Sequence, residues 1–160
     1  MPVPPVVAVV VIHEPGDWLG ESLAALAGQD YPGLQHLVLV TGSESDPGRR
    51  GVLDLVATNL PRAVVRLLGG NPGYAAACNR VLELVEGESG FFCFLHDDVA
   101  LAPDAISRLV EEVYRSNAGV AGPKLVYWDE IRMIQSVGTM VDRFGVELAV
   151  ADEGELDQEQ

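Results

Sequence analysis

Two adjacent carboxylates, Asp97 and Asp98, close an apolar run that passes through Phe91, Phe92, Cys93, Phe94, Leu95 and His96. Read as a strand buried on both faces, this run delivers the acids to its carboxyl end, where α/β sheets hold their ligands. A carboxylate pair there can hold a hard divalent cation, magnesium or manganese, whose other positions go to water or to substrate phosphates. The same pair can also be the solvated acids of a surface turn. His96 adds an imidazole, a competent manganese ligand that suits magnesium less well.

A second cluster lies upstream, in the stretch Gly69-Gly70-Asn71-Pro72-Gly73-Tyr74-Ala75-Ala76-Ala77-Cys78-Asn79-Arg80. Glycines let a backbone approach a ligand closely, and the start of the helix predicted from residue 73 favours a phosphate or hydroxyl oxygen. Asn71 can equally serve to form the turn, Asn79 to cap or pack locally, and Tyr74 to sit in the core.

Together these segments resemble the N-terminal half of a family 2 glycosyltransferase of the GT-A fold. Asn71, Gly73, Ala77 and Asn79 meet the family's N-x-G-x-x-x-A-x-N, and Leu95-His96-Asp97-Asp98 stands at its L-D-D-D or L-N-P-D. Gly122-Pro123-Lys124-Leu125 and Gln135-Ser136-Val137-Gly138 are similar to the G-P-K-L and Q-S-x-G segments of rhamnosyltransferase-like members. The resemblance covers about residues 5–146.

The resemblance implies a role for each matching position. Ile12, His13 and Glu14 stand where the family's T-Y-N or T-Y-E turn holds the nucleotide base, although His13 can also be a partly buried turn histidine. In Val40-Thr41-Gly42-Ser43-Glu44-Ser45-Asp46, Thr41 and Ser43 fall in the segment matching V-D-N-G-S-T-D, with Thr41 in place of the base-accepting Asp. A hydroxyl accepts a hydrogen bond without charge assistance and is the weaker partner. Asn71, Gly73 and Asn79 are expected to line the nucleotide site. Asp98 is the expected metal ligand, with Asp97 on metal, water or ribose and His96 as a further ligand.

The implied reaction is inverting transfer from a UDP- or dTDP-linked sugar to a saccharide or lipid-linked acceptor of the cell envelope. A metal-bound diphosphate would leave while a carboxylate of the acceptor half takes the attacking hydroxyl's proton. No acidic pair after a glycine-rich strand follows Gly145, and Asp152, Glu153 and Glu155 lie in a polar tail, so the general base is expected outside this chain. On that reading the C-terminal portion is truncated, the chain alone transfers no sugar, and it self-associates through the exposed face. One rival is a noncatalytic nucleotide-sugar-binding or regulatory module. Another is a flavodoxin-like domain whose acids are merely solvated.

The elements that must position these residues follow from the hydropathy pattern. Apolar runs of strand length at about 6–12, 35–41, 63–68, 91–96 and 119–127 alternate with helical patterns at about 17–28, 48–60, 73–86 and 103–117. That alternation predicts an α/β, Rossmann-like, mostly parallel sheet with helices on both faces. Asp17 is the expected N-cap of the first helix and Gly28 its end. Met133 to Gly145 reads as a hairpin or strand pair. The donor-binding half is assigned to residues 1–150, and 151–160 to an acidic tail or linker. A dinucleotide-binding fold would need G-x-G-x-x-G after the first strand, where His13-Glu14-Pro15-Gly16 stands instead.

Composition narrows the partners. Ten basic residues against twenty-four acidic give a net charge of −14, which argues against nucleic acid and anionic membrane surfaces. Cys78 and Cys93 have no metal-ligand spacing and read as reduced core residues. Val6 to Ile12 is too short to span a bilayer and follows no basic segment, so the chain is expected to be cytoplasmic.

Overall fold

β-branched valine and isoleucine fill Val6–Ile12 (β1), and such residues pack well on a pleated surface. The computed structural model describes residues 3–43, 45–84, 90–151 and 154–157. The chain forms two compact units, 1–106 and 107–160.

In the first unit β1 lies between Leu34–Val40 (β2) and Phe91–His96 (β4), and Val64–Leu67 (β3) adds outside β2. All three pairings are parallel, in the order β3-β2-β1-β4. The register aligns Ile12 with Val40 and Val11 with His96, so the strand ends that precede the candidate residues lie side by side. Gly90, just before β4, takes a φ of 139°, and a Cβ there would stand 2.7 Å from the Pro5 carbonyl oxygen. Only glycine permits the Phe91 N–H bond to that same oxygen without displacement.

The helices of this unit are Leu19–Ala27 (α1), Arg49–Asn59 (α2), Tyr74–Asn79 (α3) and Val81–Leu84 (α4). Alternate residues of β1 and β2, namely Val9, Val11, Leu37 and Leu39, pack with Ala77 of α3 and Val81 of α4. The intervening residues Val6, Ala8, Val10, Ile12, Val38 and Val40 are buried as well, as a sheet covered on both faces requires. Leu19, Leu23 and Leu26 of α1 and Val56 of α2 join that core.

Ala105–Ser116 (α5) crosses into the second unit. There Leu125–Val126 (β5) pairs antiparallel with Ile134–Ser136 (β6), and Thr139–Val141 (β7) with Glu147–Ala149 (β8). The 133–145 segment therefore does not pair with itself, because β6 and β7 each belong to a different hairpin. The strand expected over 119–127 shrinks to β5. Pro123, which has no N–H to donate to a ladder, stands just before it.

Three local expectations are corrected. Asp17 does not cap α1: the N-cap position falls on Trp18 without a side-chain bond, and the Leu19 N–H reaches the Gly16 carbonyl at 3.3 Å. The helix expected over 73–86 divides at Arg80, whose N–H bonds the Ala77 carbonyl and whose carbonyl accepts from Glu83, both at 3.0 Å. These three-residue bonds tighten the turn and break the α-helical ladder. Residues 85 and 86 of that expectation lie outside the described residues.

Within the acidic tail, residues 155 and 157 are tied into the second unit. Ile134 donates to the Glu155 carbonyl at 2.8 Å and Asp157 to the Arg132 carbonyl at 2.7 Å, while Lys124 forms an ion pair with Asp157 at 2.6 Å. Asp152 and Glu153 lie outside the described residues.

Candidate functional site

The turn after β1 is sharp. Glu14 takes a φ of 47°, a left-handed conformation uncommon for a residue with a side chain, and is exposed. Just before it, His13 is half-buried and bonded in three directions. Its backbone N–H donates to Asp97 Oδ2 at 3.1 Å. Its Nδ1 lies 2.8 Å from Thr41 Oγ1, and its Nε2 lies 2.8 Å from Asn71 Nδ2. The carboxyl ends of β1, β2 and β4 and the loop before α3 thus meet at one histidine, Asp97 at its backbone N–H and Thr41 and Asn71 at its ring.

The side chain of Ile12 belongs to the core, and what it offers the site is its carbonyl. That oxygen accepts from the Thr41 N–H at 2.9 Å and from the Thr41 hydroxyl at 3.1 Å. Thr41 is only 6% exposed. Its hydroxyl is enclosed and bonded on two sides, so it is not free to meet a base as the sequence suggested. Ser43 is exposed and pairs with the Ser45 hydroxyl at 2.9 Å; Glu44 between them lies outside the described residues.

Asn71 Oδ1 accepts the Gly73 N–H at 2.9 Å, closing a turn onto α3. Gly73 itself sits at φ 83° and ψ 157°, a region open to glycine almost alone. Asn79, at the far end of α3, is exposed and is not drawn into this network.

His96 is exposed, and its ring lies flat on Tyr74, with centroids 4.0 Å apart and planes 7° from parallel. That stack accounts for Tyr74 as well: it packs at the edge of the core and covers His96. Asp97 is half-buried and Asp98 exposed. Burial pushes the Asp97 carboxyl above its ordinary range and the neighbouring Asp98 charge adds to this, while the His13 N–H opposes it.

Among the described residues no group of three or more His, Cys, Asp or Glu side chains is placed to hold a cation, so the ligand set of His96, Asp97 and Asp98 is not assembled as a trio. Asp97 and Asp98 do fit a hard cation as a pair. Their donors are carboxylate oxygens, and a partly desolvated acid beside a second acid is a charge that a cation would relieve. Cys78 and Cys93 are free, and burial pushes both thiols up, away from the reactive thiolate.

One connection escaped the sequence reading. Gly42 and Gly70 exchange backbone hydrogen bonds of 2.7 and 3.1 Å, clasping the loops after β2 and β3, and Arg49 Nη2 reaches the Gly42 carbonyl at 3.3 Å. A glycine in each loop was the available signal. A cleft of about 680 Å³ lies at the opposite end of the sheet, lined by Leu34, His36, Leu60, Arg62 and Val64 among others, and none of the candidate residues borders it.

A sequence model described as "Glycosyl transferase family 2" matches residues 6–136. An N-acetylglucosaminyltransferase of Bradyrhizobium elkanii is 26% identical over 120 residues, covering 75% of this chain and 65% of that protein. Among solved structures, the mannosyltransferase PcManGT of Pyrobaculum calidifontis, in complex with GDP-Man and Mn2+, superposes with a TM-score of 0.56 at 23% identity. That match covers 69% of this chain and 32% of the other. S. aureus TarS 1-349 in complex with UDP-GlcNAc gives a TM-score of 0.57 at 18% identity, covering 84% and 39%. The chain therefore spans less than two thirds of each of these relatives.

Proposed function

The chain belongs to glycosyl transferase family 2, with a GT-A-like fold, and from that premise we propose that it binds a nucleoside diphosphate sugar at the carboxyl ends of β1, β2 and β4. The observation that carries this reading is the convergence on His13 of Thr41, Asn71 and Asp97, which lie far apart in sequence. A solvated surface turn has no reason to tie four connections together.

Asp97 and Asp98 would hold a divalent cation, manganese or magnesium, which when bound would offset the diphosphate's charge. Asp97 also anchors the turn at His13. Thr41 supports this floor from below and makes no ligand contact. Asn71 offers an exposed amide, and the Gly73 backbone lets a ligand approach closely. His96 keeps its place on Tyr74 and is assigned no metal.

The relatives named above include proteins solved with GDP-Man and with UDP-GlcNAc. A UDP- or dTDP-linked donor, inverting transfer and a saccharide or lipid-linked acceptor of the cell envelope are part of the proposal. No residue of this chain is assigned as the general base, so donor binding and transfer are separable properties. The enclosed, uncharged Thr41 favours one second reading, a module that binds the nucleotide without catalysing transfer.

Calorimetry with UDP, dTDP and GDP, each with manganese, with magnesium and with chelator, tests the assignment. Binding that depends on the cation is expected. Equal binding in chelator would remove Asp97 and Asp98 from the metal role, and absence of binding under every condition would remove the nucleotide site.

A further inference from the structure

The geometry points to His13 as a positioning residue: an imidazole with its N–H at Nδ1, facing Thr41, and a lone pair at Nε2 that holds the amide of Asn71 toward the ligand, with no ligand contact of its own. The inference rests on the nucleotide-site reading above and concerns how that site is built.

The proton positions follow from the partners. Thr41 has one hydroxyl hydrogen, and the Ile12 carbonyl 3.1 Å away can only accept it. With that hydrogen on the Ile12 carbonyl, the threonine oxygen accepts at the 2.8 Å contact with His13 Nδ1, which places a hydrogen on Nδ1. The amide nitrogen of Asn71 can only donate, so Nε2 presents a lone pair to it at 2.8 Å.

The orientation of the asparagine is fixed independently. The Gly73 backbone N–H can only donate, and it lies 2.9 Å from Asn71 Oδ1. That leaves the amide nitrogen facing the histidine. The opposite tautomer would require Asn71 to turn over, setting its NH2 against the Gly73 N–H, donor facing donor. The proton position is thus constrained from both ends of the ring.

With Nδ1 on Thr41 and Nε2 on Asn71, the ring has no hydrogen-bonding edge left for a base. The Asn71 amide retains one N–H and one acceptor lone pair, and it is exposed. The residue that meets the ligand is accordingly Asn71, and His13 acts through it.

Nuclear magnetic resonance and a double-mutant cycle test this on the whole chain. Long-range 1H–15N correlation of the imidazoles, recorded without ligand and well above neutral pH, should show His13 protonated at Nδ1 and bare at Nε2. Thr41→Val should convert that signature to a tautomer mixture at His13 and leave His96 unchanged. An Nε2-protonated or averaged His13 in the parent would overturn the proposal.

For binding, UDP and GDP with manganese serve as probes. His13→Asn, which retains a donor near Nδ1 but nothing at Nε2, should weaken the nucleotide that binds by about tenfold, as loss of one hydrogen bond's positioning does. His13→Gln, which sets an amide oxygen near the place of Nε2, should recover most of that loss. In an Asn71→Ala background, His13→Asn should cost nothing further, because both changes remove the same contact. Additive losses would make His13 an independent ligand contact and overturn the proposal. If the parent binds no nucleotide under any of the conditions named above, the functional reading falls, and the tautomer signature still decides whether His13 orients the Asn71 amide.

Discussion

The two ends of the parallel sheet treat histidine in opposite ways. At the carboxyl ends His13 has both ring nitrogens and its backbone N–H bonded. Toward the amino ends, His36 on β2 buries Nε2 with no partner among the described residues, beside the cleft of about 680 Å³. One end uses an imidazole to join connections, and the other merely tolerates one. The contrast shows that burial of a polar ring does not mark a site; what marks it is satisfaction by groups from several distant connections.

A change in the shared core should abolish the contrast altogether. Leu39 is fully buried between the two ends, and Leu39→Ala should cost about 2–5 kcal/mol in chemical denaturation, lowering the stability of both together. A loss confined to one end, seen as a biphasic transition, would mean that the sheet is not one cooperative unit.

Asp98→Ala should act only at the carboxyl ends. Cation-dependent nucleotide affinity should fall by roughly 1.5–3 kcal/mol, the worth of contacts to charged groups, with the denaturation midpoint unmoved because Asp98 is exposed. Asp97→Ala should lower both affinity and stability, since it also strands the His13 N–H. Equal midpoints for the two variants would argue against that anchoring bond.

His36 offers a pH test of the other end. Desolvation holds its pKa below the ordinary 6.5, so between that value and the lower folded one the unfolded chain binds more protons. Its contribution to stability is therefore lost as pH falls from about 6.5 through the folded value. His36→Leu should flatten this acid limb and raise stability at neutral pH by about 1 kcal/mol, the low end of the penalty for an unsatisfied buried group. An unchanged pH profile would show that His36 reaches water.

The smallest effect should come from the exposed Arg80–Glu83 pair at 2.8 Å. Arg80→Ala should cost roughly 0.2–0.5 kcal/mol and vanish into noise at high salt. A larger loss would give the break between α3 and α4 a role in holding the site.

Legibility in sequence followed range of interaction. β1 and β4 have the bounds their apolar runs predict, but only β1 is buried on both faces. β4 is the edge strand, and its Phe92 and Phe94 are 42% and 46% exposed, which corrects the reading of that run as doubly buried. Asp97, Asn71 and Thr41 were singled out individually from motif positions. Their meeting at His13 was not visible, since it depends on side chains 28, 58 and 84 residues apart. The hairpins β5–β6 and β7–β8 were harder still. Short strands with few buried residues leave no clear period, and the partner of a strand is a tertiary fact. The contacts of Glu155 and Asp157 were hidden for a related reason: they run through backbone groups and one ion pair, which acidic composition does not reveal.

That ion pair has a consequence for chemical modification. Lys124 is the only lysine of the chain, and its ammonium lies 2.6 Å from the Asp157 carboxylate, with both side chains partly shielded. Amine-directed reagents therefore find a single side-chain target, already engaged by a carboxylate. Acylation would cancel its charge and detach the 154–157 segment from that anchor. A lone reporter is thus built into the chain: the rate at which Lys124 accepts a label reads how firmly the ammonium is held in its place beside Asp157.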